Sequence, residues 1–391
     1  MADHNLDSLD PMAFTRLIPT RESHFAAAEA RIPADYPANR LAAALHPAYQ
    51  HLVVSEVKAE TKDSRVYTLV PDGDMGCTSL AYFDAGQYLC VYIEEGSVVT
   101  QRPYSILSSP RDSLCGFYKI CVKAVEGGFV SNHILENWCV GTKVRTSAPL
   151  GEFTYEPLRD CENVVAVCGG SGITPILSLA KAIAEGTEEL SLTVLYGSRL
   201  EESIICRQEL DILSEKCENI KVVYVLSHEE KEGYERGFIT ASKIKKYAPE
   251  GKYSLFMCGP EAMYKSLEGE LSGLSLERKQ VRREVQSECF APAPDSPVSV
   301  NITVKAHGEL KTVAASGKDT ILRALEKAGV AAPSHCRGGE CGYCRSRLVS
   351  GKVYIPEGLD MRRLADSRYG YIHPCCSFPL TDIEIEVFPK R

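Results

Sequence analysis

Residues 163–186 read NVVAVCGGSGITPILSLAKAIAEG, and this stretch decides the fold of the middle of the chain. NVVAVC is a β-branched apolar run of strand length, whereas ILSLAKAIAEG carries its apolar residues at helical spacing and ends on glycine. Between them, CGGSGITP (168–175) makes a glycine-rich strand-to-helix turn. With no Cβ in the way, the amides of such a turn can approach a pyrophosphate at the helix N-terminus. The same turn also serves as a plain tight connector, and it is not the G-x-G-x-x-G fingerprint. Downstream come LSLTVLYG, a helix near 206–217, IKVVYVL and KYSLFMCG. Strands alternating with helices predict a doubly wound parallel α/β sheet over residues 158–292.

Toward the N-terminus the pattern changes. HLVVSEVKAET, SRVYTLVP, QYLCVYIEE, FYKICVKAV and KVRTSAPLG are short β-branched or aromatic runs broken by Gly, Pro and Asp. They predict an antiparallel β-barrel over 49–157. Residues 1–48 are Ala- and Pro-rich and read as an irregular arm with one or two short helices; Leu41, Leu45 and Tyr49 suit packing against a body. Toward the C-terminus, APAPDSP (291–297) marks a boundary. Residues 297–391 then read as an α+β domain: strand pair, helix (TILRALEKAG), cysteine loop and closing strand (DIEIEVF). The chain is multidomain, and no internal repeat is visible.

Composition narrows the class. The 391 residues suffice for two to four domains, and 44% apolar with 25% charged residues is ordinary globular usage. No apolar run approaches the ~18 residues of a membrane span. The start, MADHNLDSLD, lacks the basic end and apolar core of a secretory signal, so a soluble cytoplasmic protein is expected. A net charge of −8 argues against nucleic acid as a partner. Sixteen cysteines without a signal point to metal ligation or redox chemistry rather than disulfides. Those at 77, 90, 115, 121, 139, 161, 206 and 217 stand singly and are expected to be small buried side chains.

Cys336, Cys341 and Cys344 do not. They lie in CRGGECGYC, a C-x4-C-x2-C spacing, and Cys375 follows after 30 residues. Soft thiolates satisfy iron, and Gly338, Gly339 and Gly342 let a tight loop turn its amides toward cluster sulfurs. Structural zinc, which usually takes C-x2-C pairs, is the alternative. The loop, with the helix before it, resembles the plant-type [2Fe–2S] ferredoxin family. In that family the last ligand follows a G-Y/F-x-x-x stretch, so GYIHPCCSFP implies Cys375 as the fourth ligand and Cys376 as a buried neighbour.

A second resemblance covers the barrel and the α/β region. Arg102-Pro103-Tyr104-Ser105, then VKAVEGGFVSNHI (122–134) and APLGEF (148–153), occur in the order found in the ferredoxin–NADP reductase superfamily. The resemblance implies that Arg102 pairs with a flavin phosphate, Tyr104 packs on the isoalloxazine and Ser105 bonds near flavin N5, as a catalytic contact. It places Gly128 and Ser131 where a helix N-terminus meets the phosphate. CGGSGITP resembles the superfamily's G-x-G-x-[TA]-P turn, which implies Gly170, Gly172 and Thr174 beside the nicotinamide nucleotide. Cys258-Gly259-Pro260 resembles its C-G-P motif, with Cys258 bordering the nicotinamide ring. Ser198 and Arg199 stand where the family can bind an NADPH 2′-phosphate, so NADH and NADPH both stay open. The family often has a flavin-side Glu at the end of this domain; in VRREVQSECF either Glu284 or Glu288 could take that place.

Flavin barrel, nicotinamide domain and C-terminal ferredoxin together resemble reductase components of the phthalate dioxygenase, phenylacetyl-CoA epoxidase and hybrid-cluster-protein types. That order implies FAD, with FMN possible, a [2Fe–2S] cluster, and NADH or NADPH as substrate. Nicotinamide delivers two electrons as hydride and a cluster takes one, so flavin must stand between them. The expected function is electron transfer to a separate redox partner, such as a terminal oxygenase, hybrid-cluster protein or corrinoid activator. The alternatives are a self-sufficient reductase of small acceptors and a non-enzymatic redox sensor, although a sensor needs no hydride site. Residues 297–391 carry 14 Lys+Arg and 10 Asp+Glu, hence +4. Arg337, Arg345, Arg347, Arg362, Arg363 and Arg368 could form a basic docking face there, or could be surface charges paired with Asp360 and Asp366.

Overall fold

The computed structural model describes residues 19, 22–24, 26–28, 36–96, 98–284, 291–306 and 308–388. It divides into two units, Met1–Leu45 and His46–Arg391. In the first, the alanine-rich helix α1 (Pro37–Leu45) forms. Tyr49 lies in the second unit, where its ring meets Tyr92 edge-on, with centroids 5.4 Å apart.

Strands β1 (Gln50–Thr61), β2 (Ser64–Pro71), β3 (Tyr88–Glu95), β4 (Val98–Ser105), β5 (Tyr118–Lys123) and β6 (Lys143–Thr146) form one antiparallel sheet, ordered β4-β3-β6-β1-β2-β5. A bridge from Ile106 to Ile120 joins the end of β4 to β5 and closes the ring, which removes the sheet edges. At the start of β1 the strand period of two sends Gln50, Leu52 and Val54 inward, where the two apolar side chains join Tyr67, Leu89 and Trp138. Helix α2 (Pro110–Leu114) and helix α3 (Phe129–Asn137) flank the barrel.

The second sheet is fully parallel, ordered β10-β9-β8-β7-β11-β12. Its strands are β7 (Asn163–Gly169), β8 (Ser191–Ser198), β9 (Ile220–Leu226), β10 (Glu235–Arg236), β11 (Ser254–Cys258) and β12 (Val281–Glu284). Residues 164–168 are buried at every position, as expected of a strand covered on both faces. Helix α4 (Ile173–Ala184) is also buried all round, so it needs a second neighbour besides its own sheet. The barrel supplies it: Ser178 Oγ donates to the Ser108 carbonyl (2.7 Å) and Lys181 Nζ to that of Leu107 (2.8 Å). Val66, Leu107 and Cys121 of the barrel accordingly sit in one core with Ile173 and Leu177. Helices α5 (Arg207–Lys216), α6 (Ala241–Tyr247) and α7 (Glu261–Glu268) complete this layer.

The third body is a mixed sheet, β14-β13-β19-β15-β17, with a two-stranded β16–β18 ribbon. The strands are β13 (Val300–Ala306), β14 (Glu309–Ala315), β15 (Ser346–Ser350), β16 (Val353–Tyr354), β17 (Tyr371–Ile372), β18 (Phe378–Pro379) and β19 (Ile383–Val387). Helix α8 (Ile321–Lys327) lays Ile321, Ala324 and Leu325 on Ile302, Val304 and Ile385. Helix α9 (Leu364–Arg368) lies outside this core. Among the described residues no helix is long and apolar enough to cross a membrane. The scattered cysteines need a correction: Cys90, Cys121 and Cys206 are buried, but Cys77, Cys161 and Cys217 are only half-buried and Cys115 and Cys139 are exposed. The two exposed ones lie where a short helix ends.

Candidate functional site

The loop between α8 and β15 holds three of the cysteines. Gly339 and Gly342 adopt φ of +86° and +65°, a region that glycine enters without steric cost. A Cβ at Gly339 would also meet Cys376 Sγ at 2.9 Å and the Leu359 carbonyl at 2.8 Å. The thiols come as two pairs. The Cys341 amide donates to Cys336 Sγ (3.4 Å), and Cys344 Sγ lies 3.4 Å from Cys375 Sγ. Among the described residues no three donors gather as they would for one ion. Two pairs suit two irons with two thiolates each better than tetrahedral zinc. Cys336, Cys344 and Cys375 are buried and Cys341 is exposed. Cys376 is buried beside the loop, with its Sγ on the carbonyls of His373 (3.5 Å) and Leu359 (3.8 Å).

On β4 the period of two places Thr100, Arg102 and Tyr104 on one face and Gln101, Pro103 and Ser105 on the other. Arg102 is half-buried, and its Nη1 donates to Thr100 Oγ1 and to the Gln101 carbonyl, both at 2.8 Å. Tyr104 packs on the barrel core, and burial pushes its hydroxyl pKa up. Ser105 is buried opposite Tyr88 of β3. Gly128 begins α3, and among the described residues no side chain caps that N-terminus. A Cβ at Gly128 would meet Ser131 Oγ at 2.8 Å and the Val125 carbonyl at 3.0 Å. Bare amides with a serine beside them fit a phosphate group.

In the parallel sheet, β8 lies on one side of β7 and β11 on the other, so the topological switch point falls between β7 and β11. Ligands of open α/β sheets bind at the carboxyl ends of strands at such a point. There the register sets Cys258 beside both Cys168 and Glu284. Gly170 takes φ +55°, and Thr174 Oγ1 donates to the Ser171 carbonyl at 2.8 Å. A Cβ at Gly172 would run into the Cys258 carbonyl and stand 2.8 Å from Gly259 Cα, so only glycine lets this turn close on Cys258-Gly259. A Cβ at Gly169 would stand 3.0 Å from Pro260 Cδ. Ser198 and Arg199 lie one strand away at the end of β8; Ser198 Oγ donates to the Leu200 carbonyl (3.0 Å), and Arg199 is exposed. Glu284 is buried at the level of Cys258, whereas Glu288 lies outside the described residues.

These three places adjoin one another. Burial raises the Tyr88 hydroxyl pKa, and Cys90, Cys336, Cys341 and Glu284 add to the effect from nearby. One ring on β3 thus lies within electrostatic reach of the thiol loop and the end of β12, while its strand faces Ser105 of β4.

Comparison with known proteins matches each body to a family. Residues 51–155 match the oxidoreductase FAD-binding domain, 166–268 the oxidoreductase NAD-binding domain, and 304–380 the 2Fe-2S iron-sulfur cluster binding domain. The ferredoxin reductase component of 3-ketosteroid-9-alpha-monooxygenase from Rhodococcus rhodochrous is 31% identical over 349 residues, 85% of this chain and 94% of that protein. The chain belongs to the family of oxygenase reductase components built from FAD-binding, NAD-binding and 2Fe-2S domains. One component of the 1,2-phenylacetyl-CoA epoxidase of Escherichia coli is 28% identical over 88% of this chain and 98% of its own length. The solved structure of phthalate dioxygenase reductase has the same fold, with a TM-score of 0.64 at 22% identity, covering 87% of this chain and 98% of its own. The reductase is an NAD(P)H-dependent flavin/iron–sulfur oxidoreductase. It passes electrons through FAD and a [2Fe–2S] cluster to a separate redox partner.

Of the basic face read from sequence, part is corrected. Arg337 is 1% exposed and forks onto Glu326, so it belongs to the interior. Arg345 pairs with Asp366 (2.9 Å) and lies over the Tyr371 ring, and Arg362 pairs with Asp360 (2.7 Å). Arg347, Arg363 and Arg368 are exposed. Sequence reasoning missed Thr100, Gln101, Glu326 and Ser334, which join the barrel to the ferredoxin body: Thr100 Oγ1 donates to Glu326 Oε1 (3.0 Å) and Gln101 Nε2 to Ser334 Oγ (2.9 Å). Their only local signal is polarity within apolar surroundings.

Proposed function

We propose that this reductase serves a terminal oxygenase, and that its electrons leave from the exposed side of the cluster loop. The adjacency of the three sites around Tyr88 carries this reading, because electron transfer needs the donor, the relay and the cluster side by side. When bound, FAD supplies the conversion of a two-electron donor into single electrons, which neither nicotinamide nor a cluster provides.

The residues have distinct tasks. Arg102, the α3 amides at Gly128 and Ser131 hold the flavin phosphate; Tyr104 packs on the ring system and Ser105, with Pro103 setting the strand edge, bonds at its reactive side. Gly170, Gly172 and Thr174 receive the nucleotide pyrophosphate, and Cys258-Gly259-Pro260 borders the nicotinamide. Ser198 and Arg199 meet the adenosine end. Cys336 and Cys341 hold one iron, Cys344 and Cys375 the other. Arg347, Arg363 and Arg368, beside exposed Met361, Leu364 and Tyr369, form the docking face for an acidic patch on the oxygenase. We place the reductase in the cytoplasm, where reducing conditions keep thiols available to ligate a cluster.

Anaerobic titration with NADH and, separately, NADPH tests the path. Flavin absorbance should bleach with either effective donor, and the cluster absorbance should follow. Cys375→Ser should keep the flavin step and lose the cluster signal; loss in Cys376→Ser with retention in Cys375→Ser overturns the ligand choice. Reversing the charges of Arg347 and Arg363 should slow reduction of a purified oxygenase in a salt-dependent way while ferricyanide reduction is unchanged. Full turnover of small acceptors with no reduction of any partner protein would instead establish the self-sufficient reductase.

A further inference from the structure

We infer that Thr100 and Glu326 are positioning residues that couple flavin binding in the barrel to the order of the cluster loop. The inference rests on the reading of Arg102 as the flavin-phosphate ligand.

The observation is one directed chain of hydrogen bonds across the two bodies. Arg102 Nη1 donates to Thr100 Oγ1 at 2.8 Å. Thr100 Oγ1 donates to Glu326 Oε1 at 3.0 Å, across 226 residues of sequence. The Glu326 carboxylate accepts from Arg337 Nη1 at 2.7 Å and Nη2 at 2.8 Å, a two-pronged ion pair. Thr100, Glu326 and Arg337 are 4%, 8% and 1% exposed. Arg337 directly follows the ligand Cys336 and holds φ at +60°, a left-handed backbone setting that is strained for a non-glycine residue. The fork onto Glu326 holds its side chain. A second link, Gln101 Nε2 to Ser334 Oγ, grips the chain two residues before Cys336.

The chemistry gives the chain its direction. A hydroxyl has one proton; Thr100 accepts from Arg102, so that proton is committed to Glu326. A phosphate on Arg102 fixes the guanidinium, which fixes the Thr100 rotamer, which completes the shell of the buried carboxylate. In a water-poor setting each of these bonds strengthens the next. If Thr100 turns its hydroxyl away, Glu326 Oε1 loses that donor and keeps only Arg337, and the strained Arg337 turn loosens. Coupling of this kind is reciprocal: flavin should order the cluster loop, and the loaded cluster should tighten flavin binding.

Hydrogen–deuterium exchange on the full-length, cluster-loaded protein, with flavin present and stripped, reads the first half. Flavin should slow exchange across residues 334–344 by about fivefold or more, the lower end of ordinary coupling. Thr100→Val, which keeps the volume and removes the hydroxyl, should abolish that difference, and Thr100→Ser should keep it. No flavin effect in the wild type, or an undiminished effect in Thr100→Val, overturns the proposal. The second half needs no Thr100 variant. Flavin affinity of the wild type should fall about fivefold or more when the cluster is absent, as in Cys375→Ser; equal affinities overturn the proposal too. Arg102→Ala separates the two readings. If its flavin affinity matches the wild type, Arg102 does not hold the phosphate, and that failure is distinct from lost coupling.

Discussion

At the scale of single residues, the nucleotide site depends on atoms that are missing. Gly172 closes on the backbone of Cys258 and Gly259, and a methyl group there meets carbonyl and Cα, neither of which can rotate away. Gly172→Ala must therefore displace one of the two turns that form the switch-point crevice, at a cost of about 1–3 kcal/mol. The expected outcome is a fall of at least about tenfold in the rate of flavin reduction by NADH, since each 1.36 kcal/mol is tenfold. Flavin content should be retained. Stopped-flow reduction together with the flavin-to-protein ratio checks this, and an unchanged rate would mean that the turn does not contact the nucleotide. The glycine was legible because its position follows a strand and precedes a helix. The atoms it avoids lie 86 residues further along the chain and were not.

Helix α3 shows how an element acquires a role. It is short, and its first turn carries neither an acidic residue nor, among the described residues, a side-chain cap. An isolated helix so built would gain from Ser, Asp or Asn at that position. Gly128 stands there instead, with its would-be Cβ space filled by Ser131 Oγ and Val125. The absent cap leaves the amides to an anion, which is the use proposed for them. Gly128→Ala should raise the flavin dissociation constant about tenfold, the scale of one lost charge-assisted hydrogen bond, with an unchanged far-ultraviolet dichroism spectrum. Equal affinity would remove α3 from the phosphate site. The sequence pointed to a helix N-terminus at Gly128 only through the resemblance of VKAVEGGFVSNHI to the reductase superfamily.

For the whole molecule, the two junctions between bodies differ in kind. Barrel and nucleotide sheet share a hydrophobic core, Val66, Leu107, Cys121 and Phe153 packing with Ile173, Leu177 and Phe256. Buried Arg282 adds a bond to Asp160 at 3.1 Å and another to the Glu152 carbonyl. The ferredoxin body has its own cores around α8 and around Phe378, and its identified side-chain links to the barrel are polar. Bodies with a common core should unfold together, and one held by a polar interface should unfold apart. Calorimetry of the loaded protein should therefore show two transitions, with flavin release following one and cluster bleaching the other. A single transition with both chromophores lost together would mean the ferredoxin interface carries far more apolar burial than these contacts provide.

Patterns held within a few consecutive residues were decided by the sequence alone: the period-two strands of the barrel, the strand–glycine–helix unit at 163–186, and the spacing of Cys336, Cys341 and Cys344. Each works by local geometry, so each leaves a local signature. The tertiary structure decided what depends on distant residues meeting. It paired the thiols two by two, set Glu284 level with Cys258, took Arg337 out of the expected docking face and buried it on Glu326, and brought Thr100 to that same carboxylate. A buried charge is stable only with a partner, and nothing in the spacing of residues along the chain says which partner the fold will bring.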